Sequence, residues 1–254
     1  MDYKQNLIIM FSALLTRTKY IGTGTPTPPG PDYSVPLTIE VSEKCAIYIN
    51  NPQKGMKLKI NDEEKIHVEK EKYEMNPGDK VQLFGDYDKI ENYKGTNIKA
   101  DGSHIVYGNI MSLVDEFGYT NAILIPSEQC FAGLFNDDQK LLSAKYLLLP
   151  ATVLTPECYS GMFIDCENLI YAPVLPATSL VTGCYMEMFI NCVYLRYIKC
   201  LATSGIADDG STENWMKNAG INESGTKMFT AATGSVWPTN DNSGIPDGWT
   251  RENV

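Results

Sequence analysis

Histidine is scarce in this chain, with only His67 and His104 among 254 residues, and no C-x-x-C pair is present. Residue types that usually build metal centres and acid–base sites are therefore in short supply. G-x-S-x-G, H-E-x-x-H and phosphate-binding loop motifs are missing as well, so the chain reads as non-enzymatic, with no catalytic, cofactor-binding or metal residue assigned. Carboxylate pairs for glycoside hydrolysis stay open, because their separation is a three-dimensional quantity. Positive charge is also short. Lys plus Arg is 21 against 31 for Asp plus Glu, a net charge of −10, which leaves no chain-wide basic field to attract nucleic acid or an anionic membrane. Long apolar runs are absent too. The stretch Leu7 to Leu15 is too short to span a bilayer, and no A-x-A-like cleavage site follows it. It is expected to be retained, with no membrane insertion.

What the chain does contain is ordinary globular content, 43% hydrophobic and 10% aromatic, together with a repeat. "CYSGMFIDCENLIYAPVLPAT" at 158–178 nearly recurs 26 residues later as "CYMEMFINCVYLRYIKCLAT". Cys158, Tyr159, Met162, Phe163, Cys166 and Leu169 return as Cys184, Tyr185, Met188, Phe189, Cys192 and Leu195. A weaker copy carries Cys130, Phe131, Leu134 and Phe135, 28 residues before Cys158, with Asp138 in place of the second cysteine. A fixed period of this length indicates stacked units, each covering the apolar face of its neighbour. Apolar residues at i, i+1, i+4 and i+5 in "CYSGMF" predict one face of a helical turn, and "NLIYAPVLP" predicts a short strand closed by prolines. Cysteines in equivalent places of successive units are read as small buried hydrophobes, since parallel Cβ vectors suit a disulfide poorly.

These residues resemble the BspA-like leucine-rich repeat family of gut Bacteroidetes and their phages, whose units read roughly LPAT, a short gap, CYxxMFxxCxxL and a proline-containing strand. The resemblance covers about residues 109 to 254. It implies a solenoid of about three coils, each with a strand and a helix or helical turn.

Outside the repeat, Leu7, Ile8, Phe11, Leu14 and Leu15 fall on one face of an amphipathic N-terminal helix over 1–21. That helix is expected to anchor the chain in a virion capsid or tail protein or to pair copies into a homo-oligomer such as a trimer, with packing on its own domain as the bland alternative. Residues 22–35, rich in Pro, Gly and Thr, read as a semi-rigid linker. Short alternating runs over 36–115, such as "PLTIEVS", "CAIYINN" and "DKVQLFGDY", predict a small Ig-like β-sandwich. The repeats then occupy 116–204. Residues 205–254, with Trp215, Phe229, Val236, Trp237, Ile245 and Trp249, are expected to cap the open end or, less simply, to offer a sugar platform. The fold class is thus mixed α and β: helix, sandwich, solenoid and aromatic cap. Carboxylate runs at Asp86, Asp88 and Glu91 and at Asp208, Asp209 and Glu213 lack the spacing of a calcium loop and read as surface turns.

The combination favours a virion structural and adhesive protein, a phage head or tail fibre or appendage at the virion surface that meets a host surface glycan or protein. A bacterial cell-surface adhesin is the alternative, and a glycan-degrading enzyme the third. Tyr171 and Tyr197, also 26 apart, are candidates for a ligand-contact stripe, with the core as their other placement because strand phase is fixed only to within one residue.

Overall fold

The computed structural model describes residues 32–86 and 93–254. Leu7, Ile8, Phe11, Leu14 and Leu15, most of the linker, and Asp88 and Glu91 lie outside the described residues. The described residues belong to one compact unit.

Alternation builds the first half. β1 (Thr38–Val41), β2 (Cys45–Asn50), β3 (Lys57–Ile60), β4 (Ile66–His67), β5 (Lys72–Met75), β6 (Lys80–Phe84), β7 (Asn97–Ala100) and β8 (His104–Asn109) are mostly short antiparallel strands. Side chains alternate between two faces of a strand, so one row of cross-strand neighbours can be wholly apolar. Val81, Ile39 and Val106 form such a row across β6, β1 and β8, and all three are buried. Ser112 ties the sheet together, accepting from the Leu37 amide and donating to the Leu83 carbonyl. A second sheet, β5-β2-β7, contributes Ile47, Ile49, Tyr73 and Ile98 to the same core.

The second half is parallel. β9 (Leu141–Leu148), β10 (Tyr171–Leu175), β11 (Tyr197–Cys200), β12 (Lys227–Ala231) and β13 (Trp249–Asn253) add one after another to β8. The result is a single ten-stranded mixed sheet in the order β13-β12-β11-β10-β9-β8-β1-β6-β3-β4.

This architecture overturns the mixed α and β class. Among the described residues there is no α-helix, only short 3-10 turns, and none is long and apolar enough to cross a membrane. The expected division into an Ig-like sandwich and a leucine-rich-repeat solenoid of about three coils is corrected too, because β8 pairs directly with β9 and one sheet runs through both halves. The cysteine-rich segments are chains of tight turns. Left-handed backbone recurs at every fourth residue: Gln129, Gly133 and Asp137; Glu157, Gly161 and Asp165; Gly183, Glu187 and Asn191; Gly210, Asn214 and Asn218. The last set extends the same geometry into the stretch expected to be cap alone.

A helix fails here for a physical reason. Cys158, Met162 and Cys166 repeat every four residues, and on an α-helix positions four apart drift by about 40° per step. A four-residue turn carries no such drift. The backbone amides alternate in role: Ser160, Met162 and Ile164 donate three residues back, while Tyr159, Gly161 and Phe163 donate to carbonyls of the next unit at Cys184, Met186 and Met188. Successive units are therefore hydrogen-bonded on both their strand and turn sides.

Between the two sides run aromatic ladders. Tyr93, Phe131, Tyr159 and Tyr185 stack at centroid separations of 5.7 to 6.1 Å, and Phe135, Phe163 and Phe189 at 5.6 Å. Such pairs contribute about 0.5–1.5 kcal/mol each beyond the area they bury. Trp215, Phe229 and Trp237 close the far end, with Trp215 and Trp237 stacked at 5.1 Å. Val236, grouped with them from the sequence, is exposed, and Trp249 is part-buried.

Candidate binding surface

Strand and turn sides of the stack differ in charge. Among the residues of β9 to β13 the cations are Lys145, Lys199, Lys227 and Arg251, and the one acid is Glu252. The left-handed turn positions instead carry Asp137, Glu157, Asp165 and Glu187. Parallel register places Ser143, Tyr171, Tyr197, Met228 and Thr250 in one row across five strands. Neighbours in that row are about 4.8 Å apart.

Tyr171 is the centre of the row's polar contacts. Arg196, just before β11, donates from Nη2 to the Tyr171 hydroxyl at 2.8 Å, and its guanidinium carbon lies 5.3 Å from the ring centroid. Lys145 Nζ approaches the same ring at 5.6 Å and the Tyr146 ring at 5.3 Å. Cations are drawn to aromatic faces by the ring quadrupole. Neither Lys145, Arg196 nor Lys199 is paired with a carboxylate among the described residues. Tyr171 and Tyr197 are half-buried, and the Tyr197 hydroxyl lies 3.4 Å from Thr230 Oγ1. At the far end Glu252 accepts from Thr230 at 2.6 Å, and Arg251 donates to the Ser235 carbonyl at 2.7 Å.

Three of the four acids of the turn side are already engaged. Glu157 accepts from Gln129 at 2.5 Å, Asp165 from Asn191 at 2.7 Å, and Asp137 pairs with Lys99 at 2.8 Å. Asp137 and Lys99 also line an open cleft of ≈ 510 Å³ beside β7, with Asn97, Asn136, Ser160 and Glu187. Its lysine and nearest aspartate neutralise one another, which makes it a weaker candidate than the strand face.

The repeat residues singled out from the sequence all lie inside the stack. Cys130, Phe131, Phe135, Cys158, Tyr159, Met162, Phe163, Cys166, Leu169, Cys184, Tyr185, Met188, Phe189, Cys192 and Leu195 are at most 1% exposed. All seven cysteines are free thiols, and burial raises the thiol pKa, to about 12 at Cys130 and Cys200 and about 11 at Cys184. Lys145, Arg196 and Lys199 went unremarked in the sequence. Their signal was present in the single cation of "SAKYLLL" and the pair in "RYIKC", but it becomes visible only once those stretches are known to lie on neighbouring strands of one sheet.

No family model, curated protein or solved structure matches the chain.

Proposed function

We propose that the protein is a non-enzymatic structural and adhesive component of a virion, a phage head or tail fibre or appendage that presents its repeat stack to the host surface. The observation that carries this reading is the in-register outward row of Tyr171 and Tyr197, flanked by cations without carboxylate partners. Stacking adds rigid length and lateral surface one unit at a time without a new fold. Many copies on one particle would convert weak single contacts into firm attachment through effective concentration, so a deep pocket is unnecessary. The segment at residues 1–21 supplies the attachment to a capsid or tail protein, or to other copies, in this reading.

Light scattering on the full chain and on a chain starting at Asp32 tests the assembly part. A discrete oligomer for the first and a folded monomer for the second is expected, and charge substitutions at Leu7, Phe11 and Leu14 together should abolish the oligomer. If both are monomers, docking into another partner or a bacterial surface adhesin takes precedence. Binding of labelled protein to cells of candidate gut Bacteroidetes tests the adhesive part, and no binding to any of them removes it.

A further inference from the structure

We infer that the strand face over β9 to β11 binds an extended acidic glycan, with Lys145, Arg196 and Lys199 holding its carboxylate or sulfate groups and the tyrosine row fixing its direction. This rests on the adhesive reading and specifies the ligand for it.

The first argument is electrostatic. Two cations converge on one phenol, Lys145 at 5.6 Å and Arg196 at 5.3 Å from the Tyr171 ring, in a protein of net charge −10. Each is held by the aromatic ring rather than by a carboxylate, so an anion at this face meets two cations whose charge nothing has neutralised. Acidic side chains are plentiful, yet Glu157, Asp165 and Asp137 of the turn segments are held by Gln129, Asn191 and Lys99, and no carboxylate pairs with this cluster among the described residues. The site is thus left positive by the fold.

The second argument is geometric. Arg196 is fixed twice, by its hydrogen bond to the Tyr171 hydroxyl and by its packing on that ring, which leaves the rest of its planar donor fork for an anion. Lys199 lies on β11, two strands beyond the Lys145 of β9, so cations recur along the stack axis at multiples of about 4.8 Å. A polymer whose acidic groups recur along an extended chain meets such a row in register; a compact anion would use one step of it. Hydroxyls at Tyr171 and Tyr197, with Ser143 in the same row, offer the neutral hydrogen-bonding groups that sugar hydroxyls require.

A second copy is the rival occupant, since its turn side is acidic, but those acids are largely committed to their own ladders. Nucleic acid shares the anionic backbone, so single-stranded DNA enters the test as a comparator.

The test measures binding of the full chain to polygalacturonate and to chondroitin sulfate, with neutral dextran, polyglutamate and single-stranded DNA as comparators. Binding to one or both acidic glycans, weakening with salt, is expected, and the two arms distinguish uronate from sulfate recognition. Lys145→Gln and Arg196→Gln should each weaken it about tenfold, the scale of one charge-assisted hydrogen bond. Arg196→Lys should restore part of the loss, while Lys54→Gln, exposed in the loop between β2 and β3, leaves binding unchanged. Thermal unfolding of each variant separates lost binding from lost folding, and Tyr171→Phe keeps the ring while freeing Arg196. Equal binding to dextran, polyglutamate or DNA overturns the inference, as does indifference to both charge variants. Self-association that Lys145→Gln abolishes would assign the face to a second copy and overturn it too. Cell binding without binding to either acidic glycan sinks the inference and leaves the adhesive reading standing; absence of cell binding removes that reading itself.

Discussion

At the residue scale, the junction between the antiparallel and parallel halves holds a buried ion pair. His104 on β8 lies with Nε2 2.9 Å from Asp138 Oδ2, both side chains 1% exposed, and its Nδ1 donates to the Gly102 carbonyl at 2.9 Å. Asp138 stands where later units have Cys166 and Cys192, whose thiols donate to the Phe135 and Phe163 carbonyls. Burial, the largest single effect, would by itself lower the His104 pKa, but the Asp138 charge, the contact with its carboxylate and the Gly102 carbonyl together outweigh it and the pKa is raised. The folded chain then holds this proton more tightly than the unfolded one. The stabilisation is fully present below about pH 6.5, the unfolded value, and is lost as pH rises through the folded value. Urea midpoints should therefore decline through the neutral range for the native chain more than for His104→Gln. Parallel curves for the two would remove His104 as the cause. Elsewhere in the core, the Tyr159 and Tyr185 hydroxyls have no hydrogen-bond partner among the described residues, and the first unit has Phe131 at the same place.

At the scale of one turn segment, the left-handed positions decide which residues the chain tolerates. Backbone with positive φ costs an L-residue about 1–2 kcal/mol, least for Gly, Asn and Asp. Those types occupy most of the recurring slots, and Glu187 at φ 59 is an exception. Glu187→Val should destabilise by about 1–2 kcal/mol, because a β-branched side chain fits this conformation worst. Glu187→Gly should change stability by less than about 1 kcal/mol, relief of the turn offsetting the added freedom of the unfolded chain. Chemical denaturation of the two variants checks this ordering, and it would be reversed if the segment were helical.

For the whole molecule, continuity of the sheet predicts joint unfolding. Cys45 sits in the antiparallel half, 7% exposed with its pKa raised by burial to about 11, and the other six cysteines lie in the stack. Thiolate is the reactive form, so burial and raised pKa both suppress reaction. A thiol reagent at neutral pH should label none of the seven in the native protein. With increasing denaturant all should become reactive over one range. Earlier labelling of Cys45 would show that the antiparallel half opens by itself despite the β8–β9 pairing.

The chain's own pattern determined the period, the identity of the ladder residues and most of the antiparallel strands. A 26-residue spacing places Cys158 over Cys184 whatever the local conformation. β5 and β7, "KYEM" and "NIKA", are poorly legible as strands, because Lys and Glu weaken the alternation that marks one. The turn segments were misread because apolar residues at i, i+1, i+4 and i+5 satisfy a short helix and a run of four-residue turns equally. Gly133, Gly161 and Gly183, with Asp137, Asp165 and Asn191, carried the distinguishing signal. Only the tertiary structure decided that β9 joins β8 and that Lys145 and Arg196 meet on Tyr171. Both facts depend on hydrogen bonds and contacts between residues far apart in sequence, whose partners no local pattern specifies.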